Sequence, residues 1–507
     1  MGPEQALAPF QRPEEIGLNI LLVTAEAAPL AKVGGLADVA GALPRELAAL
    51  GHDARLVMPA YPMIEKEPRY RLETDLARFY VPLGSGRREA YARRTEVGGV
   101  PVHLIGGRHY FQEATESSKI YVPGAEPYIF FCRGVIELVR NLAPKWRPDV
   151  IHCNDWHTGL IPAYLRTLYG GDPVLARVAS VFTVHNLAYQ GEFDNNVLEI
   201  AGLPAELYSP DGLECSGKVN FMKAGIVFSD LVNTVSETYA CEIETPEFGC
   251  RLDGVLQDLC SQGRLRGILN GLDYHDFNPM TDRHIRHNYG PGDVSGKRRN
   301  KVDLQNELGL PEDPDIPVFG MVSRLVEQKG LDLIKAVMPR LMKLDVQFVL
   351  LGTGDPAYEA YFESVQKRNR LKMRARIGFD PTLAQKIYAG CDIFLMPSRF
   401  EPCGLGQMIS LRYGTVPVVR ATGGLADTVR EFDPADLYGN GFVFTRYEPE
   451  ALVAAIRRAL SIYQSQKLWQ ALVENGMACD FSLRRSALEY EQYYLDAIGL
   501  ARSRAAA

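Results

Sequence analysis

The sequence predicts an α/β protein built from two doubly wound, Rossmann-like domains. Short apolar runs rich in Val, Ile and Leu recur along the chain, and each precedes a stretch with helical character. Such runs are typical of parallel sheets that helices cover on both faces. The runs form two series of roughly 200 residues each, which is a usual domain size. The length of 507 residues also exceeds what a single hydrophobic core usually supports.

The two series of predicted strands set the domain boundaries. The first series comprises residues 18–23, 55–59, 102–105, 150–153, 180–184 and 231–235, and the second comprises 317–322, 347–351, 393–396 and 416–419. An uneven, polar stretch over residues 262–315 lies between the two series. We therefore predict a disordered lead-in over 1–17, an N-terminal domain over 18–264, a C-terminal domain over 265–480, and a helix over 481–498 that packs back on the N-terminal domain.

Composition and charge argue against several classes of protein. The net charge is −7 and the positive charges are scattered, so an extended nucleic-acid-binding surface is not expected. No apolar run reaches the roughly 18–20 residues that span a bilayer, so no membrane segment is expected. The nine cysteines are irregularly spaced without a CxxC pair, which indicates reduced thiols and a cytoplasmic location. The acidic lead-in also lacks the apolar core of a secretion signal.

A short sequence occurs once in each predicted domain. Gly34-Gly35-Leu36-Ala37-Asp38-Val39 is nearly repeated as Gly423-Gly424-Leu425-Ala426-Asp427-Thr428. Both copies follow an apolar strand and open a helical stretch. We interpret them as one strand-to-helix turn used twice, with chance recurrence of so short a string as the alternative.

The loop around Lys32 is the leading candidate for a phosphate-binding site. It follows the first strand, and ligands of parallel α/β sheets bind beyond the carboxyl ends of the strands. Gly34 and Gly35 let a ligand approach the backbone, the following helix offers unpaired N–H groups, and Lys32 adds a positive charge. The spacing is neither GxxxxGK[ST] nor GxGxxG, so a plain tight turn is an equally good interpretation. The second copy has no lysine, and there a turn that helps helix packing is the better interpretation.

Two loops of the second domain also carry charge at strand ends. Arg324 and Lys329 follow the strand 317–322, where two cations suit the neutralisation of a leaving diphosphate. A solvated basic loop is the alternative. Glu401 opens a glycine-containing loop after the strand 393–396, where backbone amides suit a phosphate and the carboxylate suits sugar hydroxyls. A glutamate in such a place is also often a surface residue.

Two further strand ends combine polar and aromatic residues that suit a sugar. They are His152-Cys153-Asn154-Asp155-Trp156-His157 and His185-Asn186-Leu187-Ala188-Tyr189-Gln190-Gly191. Aromatic faces pack on the C–H edges of sugars, and the polar groups bond to hydroxyls. The spacing of His152, Asp155 and His157 matches no common metal-ligand pattern, so no metal site is predicted.

Together these motifs resemble those of the bacterial glycogen synthases and plant starch synthases, from about Asn19 to about Tyr494. The strongest marks are residues 32–38, 155–157, 185–191, 268–273, 323–330, 398–404 and 422–427. The resemblance implies a glycosyltransferase-B fold, in which two Rossmann-like domains face each other across a cleft. It also implies transfer of glucose from ADP-glucose to the non-reducing 4-hydroxyl of an α-1,4-glucan, with retention at the anomeric carbon and without a metal or other cofactor.

The resemblance assigns a role to each candidate residue. In the N-terminal, acceptor-side domain, Lys32 and the Gly34 and Gly35 amides would contact the diphosphate, with Asp38 as a further substrate-binding residue. Asp155 and Trp156 would lie at the acceptor. In the C-terminal, nucleotide-sugar-binding domain, the diphosphate would be held by Arg324, Lys329 and the amides of Gly404, Leu405 and Gly406. The donor glucose would be surrounded by His185, Asn186, Asn270, Glu401 and Cys403.

Two positions depart from the family pattern. Phe379 falls where the family often has a tyrosine stacked on adenine, so the ring face is kept and the hydroxyl is lost. Gly406 stands where the better-known synthases carry threonine in EPCGLTQ. A hydroxyl that would bond to phosphate is therefore missing, which leaves donor affinity at that point in question.

The candidate residues favour front-face attack on the donor. Lys32, Arg324 and Lys329 would stabilise the charge that develops on the leaving diphosphate. The motifs contain no carboxylate pair of the retaining-glycosidase type, so the departing phosphate is expected to help take the acceptor's proton. The carbonyl oxygen near His185 would steady the oxocarbenium-like sugar, and Glu401 as a covalent nucleophile is the alternative.

Two rival functions are compatible with these motifs. One is a transferase of the same fold that acts on a small sugar, such as a sucrose- or trehalose-forming synthase. The other is an inactive glucan-binding protein, against which the three cations argue because binding alone needs no diphosphate clamp. The sequence leaves the oligomeric state open.

Overall fold

The computed structural model describes residues 17–506, so nearly all of the predicted lead-in lies outside the described residues. Contacts divide the chain into two compact units. The first comprises the described residues up to Thr183, then Tyr189–Leu231, and those from Tyr490 onward. The second comprises Val184–Ala188 and Val232–Glu489. Residues 232–264, which the sequence prediction assigned to the N-terminal domain, are thus grouped with the second unit. There Ser236 Oγ donates to the Pro402 carbonyl oxygen and the Thr238 amide donates to Asp427 Oδ2.

The chain alternates strands and helices over most of its length. The strands are β1 Asn19–Val23, β2 Asp53–Pro59, β3 Glu73–Leu83, β4 Gly86–Val97, β5 Val100–Gly107, β6 Val150–Asn154, β7 Ala179–Val184, β8 Glu192–Phe193, β9 Glu214–Cys215, β10 Lys218–Asn220, β11 Leu231–Thr234, β12 Leu265–Gly267, β13 Val318–Val322, β14 Gln347–Gly352, β15 Met373–Ile377, β16 Ile393–Met396, β17 Val416–Arg420 and β18 Phe442–Phe444. The helices are α1 Gly35–Ala49, α2 Pro62–Glu65, α3 Glu126–Leu142, α4 Leu160–Arg166, α5 Val197–Ala201, α6 Phe221–Phe228, α7 Glu237–Glu242, α8 Asp253–Ser261, α9 Ser295–Leu308, α10 Leu331–Leu341, α11 Pro356–Arg368, α12 Pro381–Gly390, α13 Gly406–Arg412, α14 Gly423–Thr428, α15 Pro449–Tyr463, α16 Gln466–Ala478 and α17 Leu483–Ala506.

The first unit contains a mixed sheet whose strands run in the order β7-β6-β1-β2-β5-β4-β3. The strands from β7 to β5 are parallel, and β4 and β3 extend the sheet as antiparallel strands. The chain proceeds from β1 through β2 to β5 in one direction and from β6 to β7 in the other. The order of the strands therefore reverses between β1 and β6, where parallel α/β sheets usually bind their ligands.

The second unit contains a fully parallel sheet in the order β15-β14-β13-β16-β17-β18. Numbered from its first strand, this is the order 3-2-1-4-5-6 of the doubly wound nucleotide-binding folds. Its topological switch point lies between β13 and β16. The short strands β11 and β12 also pair in parallel in this unit.

Burial explains why these strands form. Ile20 to Val23 of β1 are at most 1% exposed, and the residues of β14 are all buried. Strands buried on both faces carry continuous apolar runs, as the sequence predicted. Helix α1 buries Leu36, Val39, Ala40, Leu43 and Leu47, which the 3.6-residue period places on one face.

Each of the ten predicted strands is present, and its ends shift by two residues at most. The sequence prediction missed the hairpin of β3 and β4, because these strands carry mixed polar residues such as Arg87, Arg88, Arg93 and Arg94 instead of an apolar run. It also missed β15, where arginines alternate with apolar residues, and the short strands β8, β9, β10, β12 and β18.

The last helix, α17, runs from Leu483 to Ala506 and is longer than the predicted 481–498. From Tyr490 onward it belongs to the first unit. There Tyr494 Oη lies 2.8 Å from His152 Nδ1, and Glu491 Oε1 lies 3.1 Å from His52 Nε2. Within residues 17–506, no helix is both long and apolar enough to cross a membrane.

Candidate active site

The second unit places an ion pair at the switch point of its sheet. After β13 the chain forms a short 3-10 helix at Glu327–Lys329, and after β16 it enters the loop that holds Glu401. Lys329 Nζ lies 2.8 Å from Glu401 Oε1 and 2.7 Å from Oε2. The two side chains are only 16% and 7% exposed. Two residues that the sequence predicted separately are thus one buried pair.

The Glu401 carboxylate is held on both of its oxygens. Besides the two contacts to Lys329, Oε2 accepts a hydrogen bond from Ser398 Oγ at 2.9 Å. Charge-assisted bonds of this kind fix a carboxylate in one orientation and stabilise its charge. The arrangement favours Glu401 as a residue that orients a ligand's hydroxyls over Glu401 as a covalent nucleophile.

The loop after Glu401 is tied down by Gln407. Its Nε2 donates to the carbonyl oxygens of Cys403 at 3.0 Å and Gly404 at 2.8 Å. Gly404 has φ +73°, and a Cβ there would lie 2.5 Å from Gln407 Oε1, so glycine is the favoured residue at this turn. Cys403 is buried, and burial raises the pKa of its thiol, so the thiol is not a nucleophile at neutral pH.

Asn270 lies against this loop. Its backbone N–H points at the Cys403 sulfur, and the residue is 5% exposed. Among the described residues, Asn270 Oδ1 is a buried atom without a hydrogen-bond partner. Unpaired buried oxygens are rare in folded proteins, so Asn270 Oδ1 is suited to accept from a ligand's hydroxyl.

The second glycine turn packs directly on the same loop. A Cβ on Gly423 would lie 2.0 Å from the Glu401 carbonyl oxygen, and one on Gly424 would lie 2.2 Å from that of Cys403. The Gly424 amide donates to the carbonyl oxygens of Glu401 and Pro402, both at 3.2 Å. These contacts agree with the packing interpretation of the second copy.

Arg324, Phe379 and Gly406 occupy the ends of other elements of this unit. Arg324 follows β13, and its Nη2 lies 3.4 Å from Gln328 Oε1. Phe379 follows β15 and is 77% exposed, so its ring face is available for stacking. Gly406 opens α13, and a Cβ there would lie 3.1 Å from Phe394 Cε1 and 3.4 Å from Tyr388 Oη. The space that a threonine would need is therefore partly filled.

The first unit places Lys32 after β1, at its own switch point. Lys32 Nζ lies 2.6 Å from Asp38 Oδ1, with the side chains 38% and 22% exposed. The Lys32 amide donates to Ser117 Oγ at 3.2 Å. The predicted phosphate-binding lysine is thus paired with Asp38 in the first turn of α1, and it is more exposed than Lys329.

The amides of the Lys32 loop have a carboxylate acceptor from the chain itself. Glu26 Oε2 accepts from Val33 N at 2.5 Å and from Gly34 N at 3.0 Å. Glu26 is 3% exposed, and burial raises its pKa. The Gly34 amide, which was predicted to contact phosphate, is therefore already bonded to Glu26. The N-terminus of a helix attracts any nearby anion, and here that anion is a carboxylate of the chain itself. Gly35 opens α1 and is exposed.

Asp155 and Trp156 follow β6, the other strand at this switch point. Asp155 has φ +57° and ψ 175°, a conformation that costs a non-glycine residue about 1–3 kcal/mol. Its amide donates to the Thr183 carbonyl at 3.0 Å, which holds the turn. The Trp156 ring lies over Gly191, where a Cβ would lie 2.2 Å from Trp156 Cε3. This contact explains why the motif 185–191 ends in glycine.

The histidines of the two polar strand ends differ in environment. Burial lowers the pKa of His157 and of His185 to about 3, so both are neutral at neutral pH. His152 bonds to Tyr494 and to Thr183 Oγ1, so it serves the packing of α17. Asn186 Oδ1 accepts from the Ala188 amide at 3.1 Å. In the described residues, no cluster of three or more His, Cys, Asp or Glu is arranged to hold a metal ion.

Several residues that shape these sites were not among the predicted ones. Ser398 and Gln407 lie inside or beside a recognised motif, and Glu26 lies between β1 and Lys32. Their closeness in sequence to the predicted loops could have marked them as site residues. Tyr121 and Glu242 gave none, because both are distant in sequence from the loops that they contact.

Family models match both halves of the chain. The model for the starch synthase catalytic domain matches residues 19–258, and the model for glycosyl transferases group 1 matches residues 303–477. A glycogen synthase from Desulforudis audaxviator (strain MP104C) is 49% identical over 504 residues, which cover 96% of this chain and 97% of that protein.

Solved structures agree with the family models. The catalytic domain of starch synthase IV from Arabidopsis thaliana, bound to ADP and acarbose, has a TM-score of 0.88 and 34% identity, and the match covers 96% of this chain and 100% of that one. Sucrose-phosphate synthase from Thermosynechococcus elongatus has a TM-score of 0.60 at 18% identity over 95% of this chain and 99% of that one, a likeness in fold alone. The predicted glycosyltransferase-B fold and family resemblance are confirmed. The chain belongs to the glycogen and starch synthase family and is a glucan-elongating glucosyltransferase.

Proposed function

We propose that this enzyme transfers glucose from ADP-glucose to the non-reducing 4-hydroxyl of an α-1,4-glucan and retains the anomeric configuration. The observation that carries the proposal is that Lys32 and Asp155 follow the two strands at the switch point of one sheet, and Lys329 and Glu401 follow those at the switch point of the other. The ADP and acarbose in the Arabidopsis starch synthase IV structure support a nucleoside diphosphate donor and a glucan acceptor.

The domain roles follow from the same placement. We assign the acceptor side to the first unit, for which the sequence predicted the bounds 18–264, and nucleotide-sugar binding to the second, for which it predicted 265–480. The last helix, predicted over 481–498, contributes to the acceptor-side unit from Tyr490 onward. The family models that match residues 19–258 and 303–477 support this assignment. The nine cysteines, all free in the structure, support a cytoplasmic location.

The cations act on the leaving group. As the bond to the anomeric carbon stretches, the diphosphate gains negative charge, and Lys32, Arg324 and Lys329 bind that state more tightly than the ground state. Each lysine starts from a carboxylate partner, Asp38 or Glu401, which holds its ammonium group in place before the donor arrives. A preformed arrangement reduces the reorganisation needed during the reaction.

The remaining residues hold the two sugars. Glu401, fixed by Lys329 and Ser398, accepts bonds from donor hydroxyls, and Asn270 Oδ1 supplies a further acceptor. His185 is neutral, so it adds no positive charge beside a sugar that becomes oxocarbenium-like. The departing phosphate takes the acceptor's proton while Asp155 and Trp156 hold the acceptor. This front-face course needs no protein nucleophile, which suits a Glu401 whose oxygens are both bonded.

A donor and acceptor assay tests the proposal. The purified enzyme is given ADP-glucose or UDP-glucose with glycogen, maltose or fructose, and the anomeric configuration of the new linkage is read by NMR. We expect the fastest transfer from ADP-glucose to glycogen, with an α-linked product. Preference for UDP-glucose, transfer to fructose alone, or a β-linked product would each contradict the proposal.

A further inference from the structure

Both glycine turns are held by a glutamate that lies outside the turn, and Glu26, the first of the two, is buried. In the first unit, Glu26 accepts from the amides of Val33 and Gly34, and its other oxygen accepts from Tyr121 Oη at 2.8 Å. In the second unit, Glu242 Oε1 accepts from Thr422 Oγ1 at 2.8 Å and from the Gly423 amide at 3.0 Å. The carboxylate thus contacts the start of the helix at equivalent places in the two copies of the motif.

The two glutamates come from different places in the chain. Glu26 follows β1, whereas Glu242 is the last residue of α7. The repeated sequence Gly-Gly-Leu-Ala-Asp contains neither of them. The two copies share one bond, in which a glutamate oxygen accepts from the amide of the first glycine, Gly34 or Gly423. A carboxylate is favourable there because the first amides of a helix have no partner within the helix.

The Glu26 bonds bear directly on Lys32. Val33 and Gly34 are the two residues after Lys32, so their amides fix the backbone that carries the ammonium group. Three donors meet the Glu26 carboxylate, two of them backbone amides, in a buried setting. Bonds to a charged acceptor are stronger than neutral ones, so the loop depends on the charge as well as on the shape of Glu26.

The Glu242 bonds bear on a different part of the site. Gly423 lies against the Glu401 carbonyl so closely that a Cβ would overlap it. Helix α7 is further fixed there by Thr238, whose amide donates to Asp427 Oδ2 at 3.0 Å. Glu242 therefore holds the surface on which the Glu401 loop rests, and it does not contact Lys32 or its neighbours through any of these bonds.

We propose that Glu26 is a positioning residue for glucosyl transfer, acting through the Lys32 loop, and that Glu242 is its counterpart, acting through the Gly423 turn and the Glu401 loop. The inference rests on the proposed role of Lys32 in binding the diphosphate. It adds to that role a residue whose carboxylate sets where the lysine stands.

The test combines Glu26→Gln with Lys32→Ala. Glutamine keeps the shape and removes the charge, so we expect kcat to fall about tenfold with little change in the KM for ADP-glucose, as for an interaction that matters in the transition state. In the Lys32→Ala variant, adding Glu26→Gln should change kcat by less than about twofold, because Glu26 is proposed to act only by positioning Lys32. Glu242→Gln should also lower kcat, but its effect should multiply with that of Lys32→Ala.

A control uses a part-buried carboxylate of the first unit, Glu65, whose side chain is 15% exposed. Glu65 accepts from Arg93 Nη1 at 2.7 Å and from Tyr91 Oη at 3.0 Å, and burial raises its pKa as it does for Glu26. Glu65→Gln should leave kcat unchanged. If Glu26→Gln does not fold, Tyr121→Phe removes one bond to the same carboxylate and should lower kcat a few-fold, again only when Lys32 is present.

The outcomes separate the inference from the proposed function. Normal turnover in Lys32→Ala would overturn the role of Lys32, and the inference would fall with it. A large loss in Lys32→Ala with normal turnover in Glu26→Gln would overturn the inference alone. Equal losses from Glu26→Gln with and without Lys32, or a similar loss in Glu65→Gln, would show a general structural role and would also overturn it.

Discussion

Replacing Lys32 with alanine should lower kcat strongly while leaving the free energy of unfolding nearly unchanged. The Lys32–Asp38 pair is short, but the side chains are 38% and 22% exposed. Partly exposed ion pairs contribute about 0–1 kcal/mol to the free energy of unfolding. We therefore expect Lys32→Ala to fold normally and to lower the melting temperature by less than about 3 °C.

The effect on turnover should be much larger. A preorganised donor aimed at developing negative charge contributes roughly 10²–10³ in kcat, or about 2.7–4 kcal/mol of transition-state stabilisation. Lys32 is one of three cations proposed for the diphosphate. Its loss should therefore lower kcat by about that factor and leave the other two contacts in place.

Initial rates of ADP release, measured at saturating ADP-glucose and glycogen, give kcat, and thermal melts give stability. Lys119→Ala is the matched control, because Lys119 also pairs with a carboxylate of the first unit, Glu116, at 3.0 Å. A kcat for Lys32→Ala within about threefold of the parent enzyme would refute the reasoning. An equal loss in Lys119→Ala would refute it too.

Three further predictions concern strain, pH and packing. Asp155→Gly should be more stable than Asp155→Ala by about 1–3 kcal/mol in urea denaturation, because glycine adopts the observed φ +57° without strain. Both variants should transfer glucose slowly, and equal stabilities of the two would contradict the proposed backbone strain at Asp155. Burial lowers the pKa of Lys297 to about 8, against 10.5 for an unperturbed lysine. Between these two pH values the unfolded chain holds more protons than the folded one, so the free energy of unfolding should rise with pH there. Lys297→Met should flatten that rise in melts from pH 8 to pH 10, and an unchanged slope would contradict the assignment. Gly406→Thr should lower the free energy of unfolding by about 1–3 kcal/mol, because the new Cβ would crowd Phe394. An unchanged urea midpoint would contradict this and show that Phe394 can move aside.

Predictable features were those that depend on local sequence. Apolar runs such as Ile393–Met396 located the parallel strands, because a strand buried on both faces needs an apolar residue at nearly every position. The loops after these strands then carried Lys32, Arg324, Lys329 and Glu401. The hairpin of β3 and β4 escaped notice because polar residues alternate with the apolar ones, so neither strand carries a continuous apolar run.

Pairings between distant residues could not be predicted in this way. Lys329 and Glu401 are 72 residues apart, and only the adjacency of β13 and β16 brings them within 2.8 Å. The Asn270 amide likewise reaches the Cys403 sulfur only in the folded chain. Periodicity and spacing describe one segment at a time, so they carry no information about such contacts.

The sequence by itself determined the fold class, the family and the residue types of the site, because hydrophobic period and motif order are properties of the chain alone. The tertiary structure decided which charges are paired and how firmly each loop is held. Lys32 pairs with Asp38 and Lys329 pairs with Glu401. The amides of the two glycine turns donate to Glu26 and Glu242. The physical reason is that a charge in or near a low-dielectric interior is stabilised by whatever the fold brings within about 3 Å of it, and that neighbour is set by strand order and helix packing.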